Sequence, residues 1–428
     1  MRYIGLTLVA AAALNGQDTF SRDIAPILAA KCGQCHRPRD IAPFAVSTYE
    51  TVADWKDDIK RVLADGTMPP WKPEAGFGEF RGDFSLSAEE KQRVLAWIDA
   101  GAPEGDPADL PTPSPATEWS LGDPDLVLSM AEPYEPPRGR DMYRCFVLPT
   151  GYADTKFVSA VDILPGDRRY VHHVILYVDP TGESEQLDAK DPYPGYTCFG
   201  GPGTTINAAD VLGGNSLALG GWAPGTRASH LPEGVGMQLP GKARIVMQVH
   251  YFARGGTAPD VTRVGLYFNK STVHRRLLFV PVVPLDNRGR VDLTIPAGAD
   301  SHTVTTEFLV PPLFDSKLVN IFPHMHLLGR QIKAELIARD GKPAANLIRI
   351  DNWDFNWQGP YTYTSEIPMS ALQRVRLSCT YDNSPNNPRN PNNPVKTVKW
   401  GEGTEDEMCL AFLGVTFDRD RLSFNPAP

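Results

Sequence analysis

Up to about residue 104, apolar residues recur at helical spacing. Ile24, Ile27 and Leu28 form one stripe, Val52, Trp55, Ile59 and Val62 a second, and Val94, Leu95 and Ile98 a third. That period predicts amphipathic helices, the second stripe reading as one continuous helix. Ser87 and Glu90 stand where a capping box would open the third helix, and Gly101 where it would stop. Pro103 to Pro124 then combines Pro, Asp and Thr with no apolar period, which predicts a semi-rigid extended linker. Beyond it come short runs rich in Val, Ile, Tyr and Phe between Gly/Pro turns. These are Phe157–Ile163, Val171–Val178, Ile245–Phe252, Val264–Phe268, Leu318–Phe322, Ile332–Ala338, Val375–Tyr381 and Cys409–Thr416. Many short strands with turn chemistry predict β-sandwiches or jelly rolls, and the length left suits two of them. The expected divisions are residues 17–104, 105–122, 123–287 and 288–428.

Residues 1–16 stand apart. Met1-Arg2 precedes an apolar run from Tyr3 to Leu14 with small residues near its end, the pattern of a cleaved secretory signal. The run is shorter than the roughly 20 apolar residues a membrane span needs, and no other stretch is long enough. Cleavage is expected between Ala13 and Gln17, and export would permit disulfides. The 428 residues carry 37 Gly and 40 Pro, so turns should be frequent and long helices few. A net charge of −9 argues against a nucleic-acid partner. The six Cys and nine His are unexceptional as counts, and their positions carry the information.

Cys32-Gly33-Gln34-Cys35-His36 is the attachment pattern of a c-type haem. Two thiols three positions apart can bond the two vinyl positions of one porphyrin and leave the next residue to ligate iron. A thioredoxin-like pair would want a βαβ setting, and a zinc site would want two further ligands that this segment lacks. Met68, in Gly66-Thr67-Met68-Pro69-Pro70-Trp71, is the one Met of the segment and the expected second axial ligand. The segment resembles class-I-like cytochromes c, whose Met/His ligation gives an electron carrier with no open coordination position.

Five further histidines fall in three motifs: His172 and His173 in Val171–Val174, His250 in Gln248–Tyr251, and His324 and His326 in Pro323–His326. His324 and His326 are two apart, so on a strand both rings leave one face and can converge on a metal. Adjacent His172 and His173 point to opposite faces of a regular strand. They reach one ion only at a strand end, at a bulge, or through different ring nitrogens. Imidazoles suit copper or zinc, and an added thioether tilts a site toward Cu(I). His230, His274 and His302 read as ordinary core or surface histidines.

The chain after the linker resembles the ascorbate-dependent type II copper monooxygenases. The motifs are Val171–His173, Leu231–Gly236 leading to Gln248–Tyr251, His324–Gly329, and Gly403–Cys409, together spanning roughly residues 123–420. The expected fold is a small all-α cytochrome c domain followed by two all-β jelly-roll (β-sandwich) domains; the resemblance implies that each of the latter holds one copper, the two facing across an open cleft. It implies His172, His173 and His250 as ligands of an electron-storing copper. His324, His326 and Met408 would hold the oxygen-activating copper. It also implies a Cys379–Cys409 disulfide, leaving Cys145 and Cys198 as the remaining option.

Where family members carry polar substrate anchors, this sequence has Phe322, Leu410 and Phe412. A glycine-extended peptide substrate is therefore not expected. The expected activity is hydroxylation of a C–H bond of a small organic substrate with O2. The cofactors are two copper ions and one covalent haem c. An external donor, ascorbate or a redox protein, would reduce the haem or the copper, and the location would be periplasmic or secreted. The rival reading is a non-catalytic haem/copper electron-transfer or copper-binding protein. The polar, Pro-rich loop Asp382–Pro394 either borders the second copper site or is a surface loop without a chemical role.

Overall fold

The computed structural model describes residues 17–38, 42–111, 118–139, 141–205, 218–224, 226–252, 256–310, 315–418, 420 and 422–424. The expected signal segment and the middle of the linker (112–117) lie outside the described residues. Two compact units divide the chain, one of Met1–Trp71 and Asp83–Pro115, the other of Lys72–Gly82 and Ala116–Pro428. No described helix is long and apolar enough to cross a membrane.

In the first unit, a π-turn at Phe20–Ile24 runs into α1 (Ala25–Lys31), followed by α2 (Tyr49–Asp54), α3 (Lys56–Ala64) and α4 (Ala88–Asp99). Phe20, Ile24, Leu28, Val52, Ile59, Leu63, Val94, Trp97 and Ile98 meet in one buried cluster. The capping box at α4 is present in both directions: Ser87 accepts from the Glu90 amide, and the Glu90 carboxylate accepts from that of Ser87. Gly101 follows the helix with φ +91°, a conformation that glycine adopts at little cost. The continuous second helix expected from Val52 to Val62 is instead two. Trp55 leaves the helical region (φ −97°, ψ 7°), and its ring stacks on Phe44 at 4.7 Å. Packing of that ring outweighs the local helical preference while Val52 and Ile59 keep their places in the cluster.

The second unit is β structure. Its first sandwich contains β1 (Leu126–Ser129), β2 (Asp141–Pro149), β3 (Lys156–Leu164), β4 (Val171–Asp179), β5 (Tyr196–Thr197), β6 (Ala218–Trp222), β7 (Val235–Leu239), β8 (Arg244–Phe252), β9 (Arg263–Phe268) and β10 (Arg275–Arg276). One sheet runs β1-β9-β3-β7-β10 and the other β5-β2-β8-β4-β6. Leu128, Val158, Val264 and Met237 of the first pack against Phe146, Leu176, Ile245 and Met247 of the second in a single core. Inward residues alternate with outward ones, as two stacked sheets require.

The second sandwich contains β11 (Leu278–Val282), β12 (Thr294–Ile295), β13 (His302–Leu309), β14 (Ser316–His324), β15 (Gly329–Ile337), β16 (Pro343–Ile350), β17 (Tyr361–Met369), β18 (Arg374–Tyr381), β19 (Val398–Lys399) and β20 (Leu410–Phe417). Its main sheets run β11-β20-β14-β17 and β13-β18-β15-β16. Cys379 on β18 is bonded to Cys409, the residue just before β20, which ties the two sheets together. Cys145 on β2 is bonded to Cys198, and so pairs as the remaining option. The expected boundary at residue 288 moves earlier, because β11 already pairs antiparallel with β20 from Leu278↔Val415 onward.

Lys72–Gly82, expected inside the helical segment, is also built into this sandwich. The Glu74 amide donates to Arg349 O (2.7 Å), the Arg81 amide to Thr362 O (2.7 Å), and the Thr364 amide to Glu79 O (2.9 Å). Phe80 is buried between the rings of Tyr361 and Tyr363. Gly78 (φ +86°) is required there, since a Cβ would stand 2.5 Å from Leu347 O.

Candidate metal centres

His172 and His173 open β4, and His250 lies opposite on β8. The pairing runs Val171↔Tyr251 and then His173↔His250, so His172 is the extra residue of a bulge. The bulge turns two adjacent side chains to one side, as one of the options open to the sequence required. One nitrogen of each of the three rings lies within 4.8 Å of the others, and the Nδ1 atoms of His172 and His173 are 3.2 Å apart. His172 Nε2 and both nitrogens of His250 are buried without a hydrogen-bond partner. Buried polar atoms are normally satisfied, so three orphaned imidazole nitrogens are the observation that fits an added ligand. Burial, reinforced by the neighbouring imidazoles, holds His172 and His173 well below the usual histidine range, so their lone pairs stay open near neutrality. Tyr143 stacks on His250 (4.2 Å between centroids, 5° between planes), and an Asp141 oxygen lies 3.9 Å from His250 Nε2.

The second set follows a different construction. His324 ends β14, and His326 lies two residues on, with its ring 5.0 Å from the first. Gln358 Nε2 donates to Phe355 O, which fixes the amide so that Gln358 Oε1 faces His324 Nδ1 and accepts its proton. His326 Nδ1 donates to Asp406 O at 3.0 Å. Each ring therefore presents Nε2 as its lone pair, the arrangement that orients a metal-binding imidazole. Burial lowers His324 to about 4 and His326 to about 3, so both are neutral well into the acid range. The β14–β20 register pairs His324 with Leu410, two residues after Met408. Met408 is 9% exposed, its carbonyl accepts from Tyr381 Oη at 2.8 Å, and the next residue is in the Cys379–Cys409 disulfide.

Sequence reading missed the turn between β16 and β17. Trp353 donates from Nε1 to His326 O (3.2 Å), Gln358 holds His324, and Phe355 stacks on His172 at 4.4 Å while meeting His326 edge-on at 5.7 Å. One ring, that of Phe355, thus touches a histidine of each set. Trp353, Phe355 and Trp357, alternating in a polar run, were the available signal. The Asp382–Pro394 loop borders this turn: Arg389 donates to Trp353 O at 2.6 Å. Phe322 and Phe412 are directly opposite in the register, Leu410 opposes His324, and the Phe322 ring lies 6.5 Å from that of His324. An apolar wall therefore stands beside the second set.

In the helical unit, Cys32 caps α1, and His36 Nδ1 donates to Phe44 O at 3.1 Å, again leaving Nε2 as the lone pair. Burial lowers the pKa of His36. Met68 is half-buried, with its amide on Val62 O. His230 is exposed and hydrogen-bonded to Ser159.

Residues 310–417 match the family model of the copper type II ascorbate-dependent monooxygenase C-terminal domain. Dopamine beta-hydroxylase of Canis lupus familiaris is 22% identical over 274 residues, covering 59% of this chain and 38% of that protein. Dopamine beta-hydroxylase of Homo sapiens is 24% identical over 298 residues, covering 65% and 44%. The chain thus spans less than half the length of the curated relatives it matches. These matches show a likeness to copper type II ascorbate-dependent monooxygenases. A solved structure such as PNGF-II in a C2 crystal form aligns at a TM-score of 0.25 and 10% identity, over 74% of this chain and 66% of that one, too weakly to carry an argument.

Proposed function

We propose that the chain is an exported copper-dependent monooxygenase that hydroxylates a C–H bond of a small organic substrate. The balance is one O2, two electrons and two protons per substrate, giving the alcohol and one water. The observation that carries this reading is the meeting of two differently built histidine sets at Phe355. Bound copper would supply one-electron transfer at one set and oxygen activation at the other. His172, His173 and His250, an all-imidazole set, would hold the electron-storing ion. His324, His326 and Met408 would hold the ion that meets oxygen, since two imidazoles and a weak thioether suit Cu(I) with a position left open. Gln358 and Asp406 O aim the two Nε2 atoms, and Phe355 packs against a ring of each set. Phe322, Leu410 and Phe412 offer no charged anchor, so the substrate class this wall favours is neutral and apolar.

Electrons enter, on this reading, through residues 17–104 as a cytochrome c domain, with Cys32 and Cys35 bonded to haem and His36 and Met68 on its iron. The His36 Nδ1 bond to Phe44 O supports that role for its ring. The two copper domains run from about residue 123 to the end of the first sandwich and from Leu278, the first strand residue of the second, onward. Oxygen uptake with ascorbate, measured for the copper-loaded chain and for Met408→Ala, tests the proposal. Uptake should fall at least ~10-fold in the variant, and equal uptake in both would sink it. The haem relay is tested by stopped-flow spectra: reduced haem should be reoxidised when the copper-free protein is loaded with Cu(II).

A further inference from the structure

Glu407 is fully buried, and no Lys or Arg among the described residues makes an ion pair with it. A carboxylate taken out of water costs several kcal/mol unless it is well supplied with hydrogen bonds. Here the donors are all backbone amides, and they come from both arms of the second histidine set. Oε2 accepts from the amides of His326 (2.8 Å) and Met408 (3.2 Å), and Oε1 from that of Leu328 (2.6 Å). Glu407 is held in turn by its own backbone, which donates to Lys399 O (3.1 Å) and accepts from Gly401 N (3.3 Å). Its neighbour Asp406 carries the carbonyl that fixes His326 Nδ1.

We infer that Glu407 is the positioning residue of the second site, its carboxylate clamping the His324–His326 turn to the strand entry that bears Met408. The inference rests on the reading of that set as a copper site. It explains why a carboxyl side chain occupies a place that packing alone would give to Leu. Neither close relative of Glu can do the same work. A Gln would aim its NH2 at one group of amide donors, and an Asp is one methylene short of reaching both arms.

The experiment uses the full chain with Glu407→Gln and Glu407→Asp, each in two backgrounds. In His250→Ala the second set is read alone, and in Met408→Ala with both His324 and His326 also replaced by Ala the first. Cu(I) affinity is measured by chelator competition, and the reduced second site is probed by the infrared stretch of bound CO. Both variants should weaken the second site about 10–100-fold and shift or broaden its CO band, with the first site within about twofold of the parent. Unchanged second-site affinity and CO band would overturn the inference, and so would equal loss at both sites, which marks general unfolding. A His250→Ala chain that takes up no copper removes the underlying reading, and the inference with it.

Discussion

At His324 and His326 the Nδ1 protons are committed to Gln358 and Asp406, so both rings are aimed before any ion arrives. At His172 and His173 the Nδ1 atoms face one another, and His250 has no partner at either nitrogen. The first set is held instead by a backbone bulge and by two stacked rings, Tyr143 on His250 and Phe355 on His172. A site fixed by hydrogen bonds has one geometry. A site fixed by stacking can slide by small amounts and is completed by the ligand itself. That difference suits a pair in which one centre must present an open position and the other only gives up an electron.

The largest expected effect comes from the bond that ties the second sandwich together beside Met408. Replacing Cys379 and Cys409 by Ala should lower stability by ~2–5 kcal/mol in denaturant unfolding and depress copper uptake at the second set more than at the first. Equal depression at both would break the comparison. Next, Gln358→Leu leaves the His324 Nδ1–H buried and unpaired, which should cost ~1–3 kcal/mol and weaken second-site copper about 10–100-fold. Tyr143→Leu removes a stack worth ~0.5–1.5 kcal/mol and should weaken first-site copper less than about 10-fold, as read by the same competition assay.

The smallest effect is one of pH. With His324 at about 4 and His326 at about 3, protons do not compete for Nε2 above the mid-acid range. Second-site copper affinity should therefore be flat from pH 7.5 to 5.5 and fall through 4 to 3. The sign for stability of the copper-free chain follows from the same shifts. Below the ordinary histidine value the unfolded chain binds protons that the folded chain refuses, so stability declines as pH drops from about 6.5 toward 4. A loss of affinity already between 7.5 and 5.5 would mean that these rings are solvated.

Strands with continuous Val/Ile character, such as β4 and β8, were legible in the sequence, because burial on a sheet demands that composition. β13 was not: its Thr303, Thr305 and Glu307 face solvent, and its residues alternate between half-buried and exposed. The His324–His326 spacing was legible through strand periodicity. The place of the bulge at His172 was not, since it depends on which residue of β8 stands opposite. Phe355, Gln358 and Trp353 come from a turn whose path is set by contacts distant in sequence, so no local pattern could have assigned their partners. Trp55 shows the same limit in the helical unit, where an aromatic contact broke a well-formed stripe.

The incorporation of Lys72–Gly82 into the second sandwich bears on how such a chain can be assembled by recombination. The polypeptide passes between its two compact units at three points, after Trp71, Gly82 and Pro115. A single crossover at any one of them hands the recipient either a sandwich stripped of the segment that hydrogen-bonds β16 and β17, or a helical unit lacking α4. A fragment begun at the linker would expose backbone that the intact chain keeps paired.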